Sequence, residues 1–290
     1  MKGFFVTGTD TGCGKTEVSL GLIEALRQRG LKVQAMKPVA SGCVPAAPLV
    51  GLPLVESQGP SVGSEVSQAQ DLQLTAKGIS LGSSAGLALS GVQSPGLGPS
   101  LCGNPESTAG RGLRNADAER LLAQASRPAP YDWVNPYAFL PPIAPHIAAR
   151  ELGVRIDPGL IHARARALAG MGEVLIVEGV GGWRVPLGPD LALSDLPGLL
   201  GLPVILVVGL RLGCLNHALL TAESILAGGC RLAGWVANEI DPEMARREEN
   251  LATLASLLPA PLLGHIPWLE EAGPSAASFL DVEGLMGACR

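Results

Sequence analysis

The 290-residue sequence predicts an α/β fold, a doubly wound and mostly parallel sheet covered by helices on both faces. Three observations carry that prediction. Short runs that are apolar at nearly every position recur along the chain, as strands buried on both faces require. Stretches of helical periodicity separate these runs. The first run leads straight into a glycine loop, which puts a ligand site at the carboxyl end of the first strand.

Taken in order, the expected strands are 3–6, 32–36, 174–177, 203–208, 232–237 and 262–266, and the expected helices lie around 16–29, 115–125, 158–170, 214–228 and 243–258. The first helix shows its apolar stripe in Val18, Leu22, Ile23 and Leu26. One segment does not fit the alternation. Residues 44–110 hold 29 Gly, Pro or Ser among 67, with five charges and no aromatic residue, too little patterning for a packed element. They are expected to be a disordered insertion in a single 1–290 domain, and without them 223 residues remain, an ordinary size for one α/β domain.

The loop after the first strand carries the chemistry. Residues 4–16 read Phe-Phe-Val-Thr-Gly-Thr-Asp-Thr-Gly-Cys-Gly-Lys-Thr, with one residue more than usual between Gly8 and the closing Gly14-Lys15-Thr16. Glycines here let backbone N–H groups turn inward around phosphate oxygens. Lys15 adds a point charge, Thr16 offers a hydroxyl to Mg²⁺, and the following helix points its positive end at the anion. The loop marks a phosphate-loop NTPase fold and a user of nucleoside triphosphate, with Gly12, Cys13, Gly14, Lys15, Thr16 and Glu17 as its contacts.

Composition narrows the class. A net charge of −5 offers no basic field to nucleic acid. The chain opens on its first strand, leaving no room for a leader, and the apolar stretch 196–210 is broken by Pro197 and Pro203 and too short to span a bilayer. Cys13, Cys43, Cys102, Cys214, Cys230 and Cys289 lack metal or redox-pair spacing and read as reduced thiols. A cytoplasmic enzyme without membrane or nucleic-acid partners is expected.

Four more stretches place polar groups at strand ends. Lys37 follows the second strand on the ligand edge, in a chain with only five lysines. Asp117 stands at a helix start, where by itself it reads as a cap. Glu178 ends a buried strand before Gly179-Val180-Gly181, the usual place for an acid near Mg²⁺. Asn238-Glu239 and Pro267-Trp268-Leu269 follow later strands and suit an adenine edge and face.

In order along the chain, these stretches resemble the dethiobiotin synthetases: 5–11 with 14–16, Lys-Pro-Val-Ala-Ser-Gly (37–42), Gly-Leu-Arg-Asn-Ala-Asp (112–117), Val-Asn-Pro-Tyr (134–137), Pro-His (145–146), Val-Glu-Gly-Val-Gly-Gly-Trp (177–183), Leu-Gly-Cys-Leu-Asn-His (212–217), Gly-Trp-Val-Ala-Asn (234–238), and Pro-Ala-Pro-Leu-Leu-Gly (259–264) with Ile-Pro-Trp-Leu (266–269). The resemblance implies that 7,8-diaminononanoate, CO₂ and ATP give dethiobiotin, ADP and phosphate through a phosphorylated carbamate. It implies Lys15, Lys37 and Thr11 as catalytic groups, Thr16, Asp117 and Glu178 as Mg²⁺ ligands, and Ser41 beside the substrate amines. It also implies a homodimer in which Gly213, Cys214, Leu215 and Asn216 of the neighbouring subunit receive the substrate carboxylate. Two positions depart from the family pattern: Gly12-Cys13 replaces Glu-Val, and Pro274 stands where an acid is usual. Two other classes that share the loop stay open, a cobyrinic-acid-type amide synthase and a partitioning-type ATP switch. The first usually carries a further glutaminase domain, and the second a lysine early in the loop, where Thr9 and Asp10 stand here.

Overall fold

The computed structural model describes residues 1–46, 110, 112–269 and 275–288. Its strands are β1 (Gly3–Gly8), β2 (Val33–Met36), β3 (Val39–Ser41), β4 (Val44–Pro45), β5 (Leu113–Arg114), β6 (Tyr137–Phe139), β7 (Val174–Glu178), β8 (Val204–Leu210), β9 (Leu232–Glu239) and β10 (Leu262–Ile266). Its helices are α1 (Lys15–Gln28), α2 (Ala116–Gln124), α3 (Tyr131–Val134), α4 (Pro145–Glu151), α5 (Pro158–Ala169), α6 (Leu196–Leu200), α7 (Cys214–Ala227), α8 (Arg247–Leu257) and α9 (Glu283–Ala288). Each expected strand and helix appears at its expected place. The short elements around 39–45, 113–114, 131–151 and 196–200 are additions that no sustained period announced.

Six strands form the central sheet in the order β10-β9-β8-β1-β7-β2, and every pairing is parallel. Parallel pairing sends all six carboxyl ends to one edge, which is where the phosphate loop leaves β1. Successive side chains on a strand face opposite sides, so β1 serves two cores. Phe4 and Val6 pack with Val18, Leu22 and Leu26 of α1, while Phe5 packs with Met36, Leu175 and Val177 against α5 and its neighbours. Both phenylalanines are fully buried; burying each contributes roughly 1.5–3 kcal/mol. A third cluster centres on Trp235 and the apolar face of α7.

Most of the expected 44–110 insertion lies outside the described residues. Its first residues do not: Val44–Pro45 pair antiparallel with Leu113–Arg114, and the Ala46 N–H donates to the Gly112 carbonyl at 2.6 Å. The described fold therefore takes in positions that composition alone assigned to the insertion.

The described residues from Ser275 onward reach the sheet, where Leu280 bridges Gly264 of β10 and Ala276 and Ala277 pack beside Gly21. A Cβ on Gly264 would stand 2.1 Å from the Phe279 carbonyl oxygen. Gly264→Ala is therefore expected to cost about 1–3 kcal/mol as an overpacking change. Thermal unfolding measures it, and an unchanged midpoint would mean that this segment does not bear on β10.

Candidate active site

The site follows from strand register. Met36 of β2 lies opposite Val177 of β7, so the next residues, Lys37 and Glu178, emerge side by side. Val6 of β1 lies opposite Glu178 and leads into the loop. Three adjacent strands thus deliver the loop, a cation and an acid to one point.

The Lys37 ammonium donates to Glu178 Oε1 at 2.5 Å and to Asp117 Oδ2 at 2.9 Å, and Lys37 and Glu178 are almost wholly buried. Its backbone is held as firmly. The Lys37 N–H donates to the Val134 carbonyl, and Asn135 Nδ2 donates to the Lys37 carbonyl at 2.7 Å. The Tyr131 hydroxyl joins this group to α2, donating to Asn135 Oδ1 and accepting from the Asn115 N–H. Asn115 caps α2 by accepting from Ala118 N. The cap is therefore Asn115, and Asp117 is left free to reach Lys37.

Burial alone would lower the Lys37 pKa, but the charges of Glu178 and Asp117 and their hydrogen bonds outweigh it and raise the group above its usual 10.5. Burial likewise pushes Asp117 up, and Lys37, the Thr16 hydroxyl and Arg120 together hold it below its usual 3.8.

The Thr16 hydroxyl donates to Glu178 Oε1 at 3.0 Å. Thr11, Gly12, Gly14, Lys15, Thr16, Glu17, Lys37, Ser41, Asp117, Glu178, Val180 and Gly181 line one cavity of about 390 Å³, together with Asn115 and Arg120. Two buried oxygens facing this region, Ser41 Oγ and Glu178 Oε2, have no partner among the described residues. The Lys15 ammonium rests on the Asp10 carbonyl at 2.8 Å, inside its own loop. Gly14, at φ 88°, admits no side chain, since a Cβ there would meet Asn238 Nδ2 at 2.0 Å. That amide donates to the Cys13 carbonyl at 3.1 Å, so Asn238 braces the loop from β9.

Other expected residues fall elsewhere. Cys13 is buried beneath the loop, and neither it nor Gly179 lines the cavity. The Glu239 carboxylate, expected near nucleotide, is taken up by Arg247, His265 Nε2 and the Trp268 N–H. It fixes the chain after β10, and Trp268 is left half exposed there, beside Pro267 and the partly buried Leu269. Gly213, Cys214, Leu215 and Asn216 open α7 at the same sheet edge and do not line this cavity. Just before them, Arg211 pairs with Asp10 Oδ2 of the phosphate loop.

Sequence reasoning missed Arg120, Tyr131 and Asn135. Arg120 stands one turn beyond Asp117 and was legible as an i+3 partner on the same helix face. Asn135 lay within a quoted stretch, but nothing local tied it to Lys37, 98 positions away.

Fold and site together define a phosphate-loop protein that binds nucleoside triphosphate. Residues 2–48 and 106–276 match the AAA domain family. The chain is 46% identical to the ATP-dependent dethiobiotin synthetase BioD of Pseudomonas aeruginosa (strain UCBPP-PA14) over 287 residues, covering 98% of each chain. It is 39% identical to the protein of that name from Cellvibrio japonicus, covering 99% of each, and 40% identical to that from Aromatoleum aromaticum, covering 94% of each. The chain belongs to the dethiobiotin synthetase family.

The ion cluster makes a pH prediction. Asp117, with its pKa lowered, contributes stability that is present above about pH 4 and lost as pH falls through the folded value. Lys37, with its pKa raised, contributes stability that is present below about 10.5 and lost as pH rises through the folded value. The gap in thermal midpoint between the wild type and Asp117→Asn should hold steady at neutral pH and narrow in acid. A gap that widens in acid would contradict the ion pair.

Proposed function

We propose that this chain converts 7,8-diaminononanoate, CO₂ and ATP to dethiobiotin, ADP and phosphate, the ATP-dependent carboxylation and ring closure of biotin synthesis. The observation that carries the reading is the convergence of Lys15 and Thr16 with Lys37, Asp117 and Glu178 on one cavity, in a chain whose relatives bear that enzyme's name.

The geometry supports the following roles. Backbone N–H groups of the loop and the amino end of α1 cradle the phosphates. Lys15 and Lys37 offset the charge that builds up as the γ-phosphoryl group passes to the carbamate oxygen. Two of the three Lys37 N–H groups are bound to Glu178 and Asp117, leaving one for an incoming oxygen. Thr11 and Ser41 hold the carbamate and the amines, and the second amine then closes the ring as phosphate leaves. Asn238 and Pro267–Trp268–Leu269 receive the adenine. Thr16, Asp117 and Glu178 fit Mg²⁺, being hard oxygen donors, one of them with a buried oxygen that lacks a partner among the described residues. Bound there, the ion would supply positive charge against the phosphate oxygens.

The working unit is a homodimer in the cytoplasm, with residues 1–290 forming one catalytic domain around an insertion that lies within 47–110. Among the described residues no helix is long and apolar enough to cross a membrane. Leu212 is 94% exposed beside the amino end of α7, which no side chain caps among the described residues, the kind of surface that a second copy covers while presenting its own substrate tail.

The direct test supplies the protein with 7,8-diaminononanoate, bicarbonate and MgATP, and follows dethiobiotin by mass spectrometry alongside phosphate. Phosphate release that ignores the diamine would refute the reaction. Lys37→Gln and Lys15→Gln should each cut turnover by about 10²-fold or more, and a near-wild-type kcat in either removes its role. Asn216→Ala should weaken diamine binding more than ATP binding. Mixed with Lys15→Gln, it should recover activity through dimers that hold one intact site, and mixing without recovery rejects the shared site.

A further inference from the structure

Glu17 directly follows Thr16 on α1, and Arg120 stands one turn beyond Asp117 on α2. Their side chains meet fork to fork, with Arg120 Nη1 at 2.6 Å from Glu17 Oε1 and Nη2 at 2.9 Å from Oε2. This is the strongest geometry open to an arginine–carboxylate pair. Both residues line the cavity. At the far end of the same two helices, Arg27 Nη1 donates to the Gln124 carbonyl at 2.8 Å. α2 is thus fastened to both ends of α1, and one fastening is adjacent to the site.

We propose that the Glu17–Arg120 pair is a positioning clamp that fixes Asp117 against Thr16 and so sets the affinity of the site for a divalent cation with nucleotide. The proposal rests on Thr16, Asp117 and Glu178 being the metal-binding groups. The oxygen spacing a small hard cation demands is tight, and Thr16 and Asp117 belong to different helices. Lys37 holds only one oxygen of Asp117. Nothing else in α2's first two turns reaches α1 through a charged pair among the described residues. Exposed ion pairs alone contribute little. This one differs in being bidentate and in joining two packed helices, where a small shift in helix spacing is passed directly to Asp117.

The test uses the full chain and a nonhydrolysable ATP analogue, whose binding is followed by calorimetry across a Mg²⁺ series. Arg120→Ala should raise the Mg²⁺ midpoint about three- to tenfold. Arg120→Lys, which keeps the charge but loses the fork, should show most of that rise. In metal-free protein, hydrogen exchange at amides 118–121 should quicken in Arg120→Ala, while the central strands stay protected. An unchanged midpoint in Arg120→Ala overturns the clamp, as does a raised midpoint with unchanged exchange, which would assign the effect to charge alone. Turnover is not needed, so a failure to make dethiobiotin leaves this test intact. A wild type whose analogue binding ignores Mg²⁺ would overturn the clamp together with the metal site.

Discussion

The buried contact between Lys37 and Glu178 is the constraint around which the site is arranged. Burying two charges is expensive, and their attraction offsets the cost only when geometry and further hydrogen bonds are good. Here the geometry is fixed by sheet register, because neighbouring strands end together and deliver both residues to one level. A slip of one residue would turn every side chain of β2 to the opposite face. The sheet core and the site therefore depend on the same pairing. Truncating Lys37 would leave the buried Glu178 carboxylate without its ion-pair partner, and truncating Glu178 would leave Lys37 with Asp117 alone, so the pair is better described as mutually required than as stabilising.

Around that pair the chain builds a shell whose parts serve position more than contact. Asn135, Tyr131 and Asn115 form a hydrogen-bonded path from the Lys37 carbonyl to the cap of α2. Asn238 braces the phosphate loop from β9, and Arg211 holds Asp10 from the end of β8. Each support comes from a segment that leaves the carboxyl edge of the sheet or packs beside it. Preorganised groups of this kind avoid reorganisation as reaction charge develops, which is where electrostatic catalysis gains most.

Much of this was legible in the sequence because its signals are local. Fully apolar runs mark strands buried on both sides, and Gly14-Lys15-Thr16 after such a run names its own chemistry. Lys37 and Glu178 are readable because a strand end in a parallel sheet has only one possible location. What resisted reading depends on distant pairing. Nothing local ties Glu17 to Arg120, which lies 103 positions away, or Asn135 to the Lys37 backbone. Glu239 is another residue whose partners are not local. It is adjacent to Asn238 in sequence, but alternation on β9 turns it away from the loop, toward Arg247 and His265. Val44 and Pro45 read as insertion because two-residue strands have no period, and their pairing comes from Leu113 and Arg114.

The charge balance of the cavity links these features to chemistry. Lys15, Lys37 and Arg120 face Glu17, Asp117 and Glu178 across one space, three cations against three acids. A cavity so balanced has no surplus positive charge for a polyphosphate, and simple attraction does not explain why one should enter. The loop's N–H groups and the amino end of α1 supply partial positive charge at one wall. The acids that line the same cavity suit a cation arriving with the nucleotide. On that reading the acids are not a barrier to the anion but the condition for its entering as a metal complex. The arginine among them restrains its own acid, Glu17, leaving Asp117 and Glu178 as the pair proposed to meet the ion.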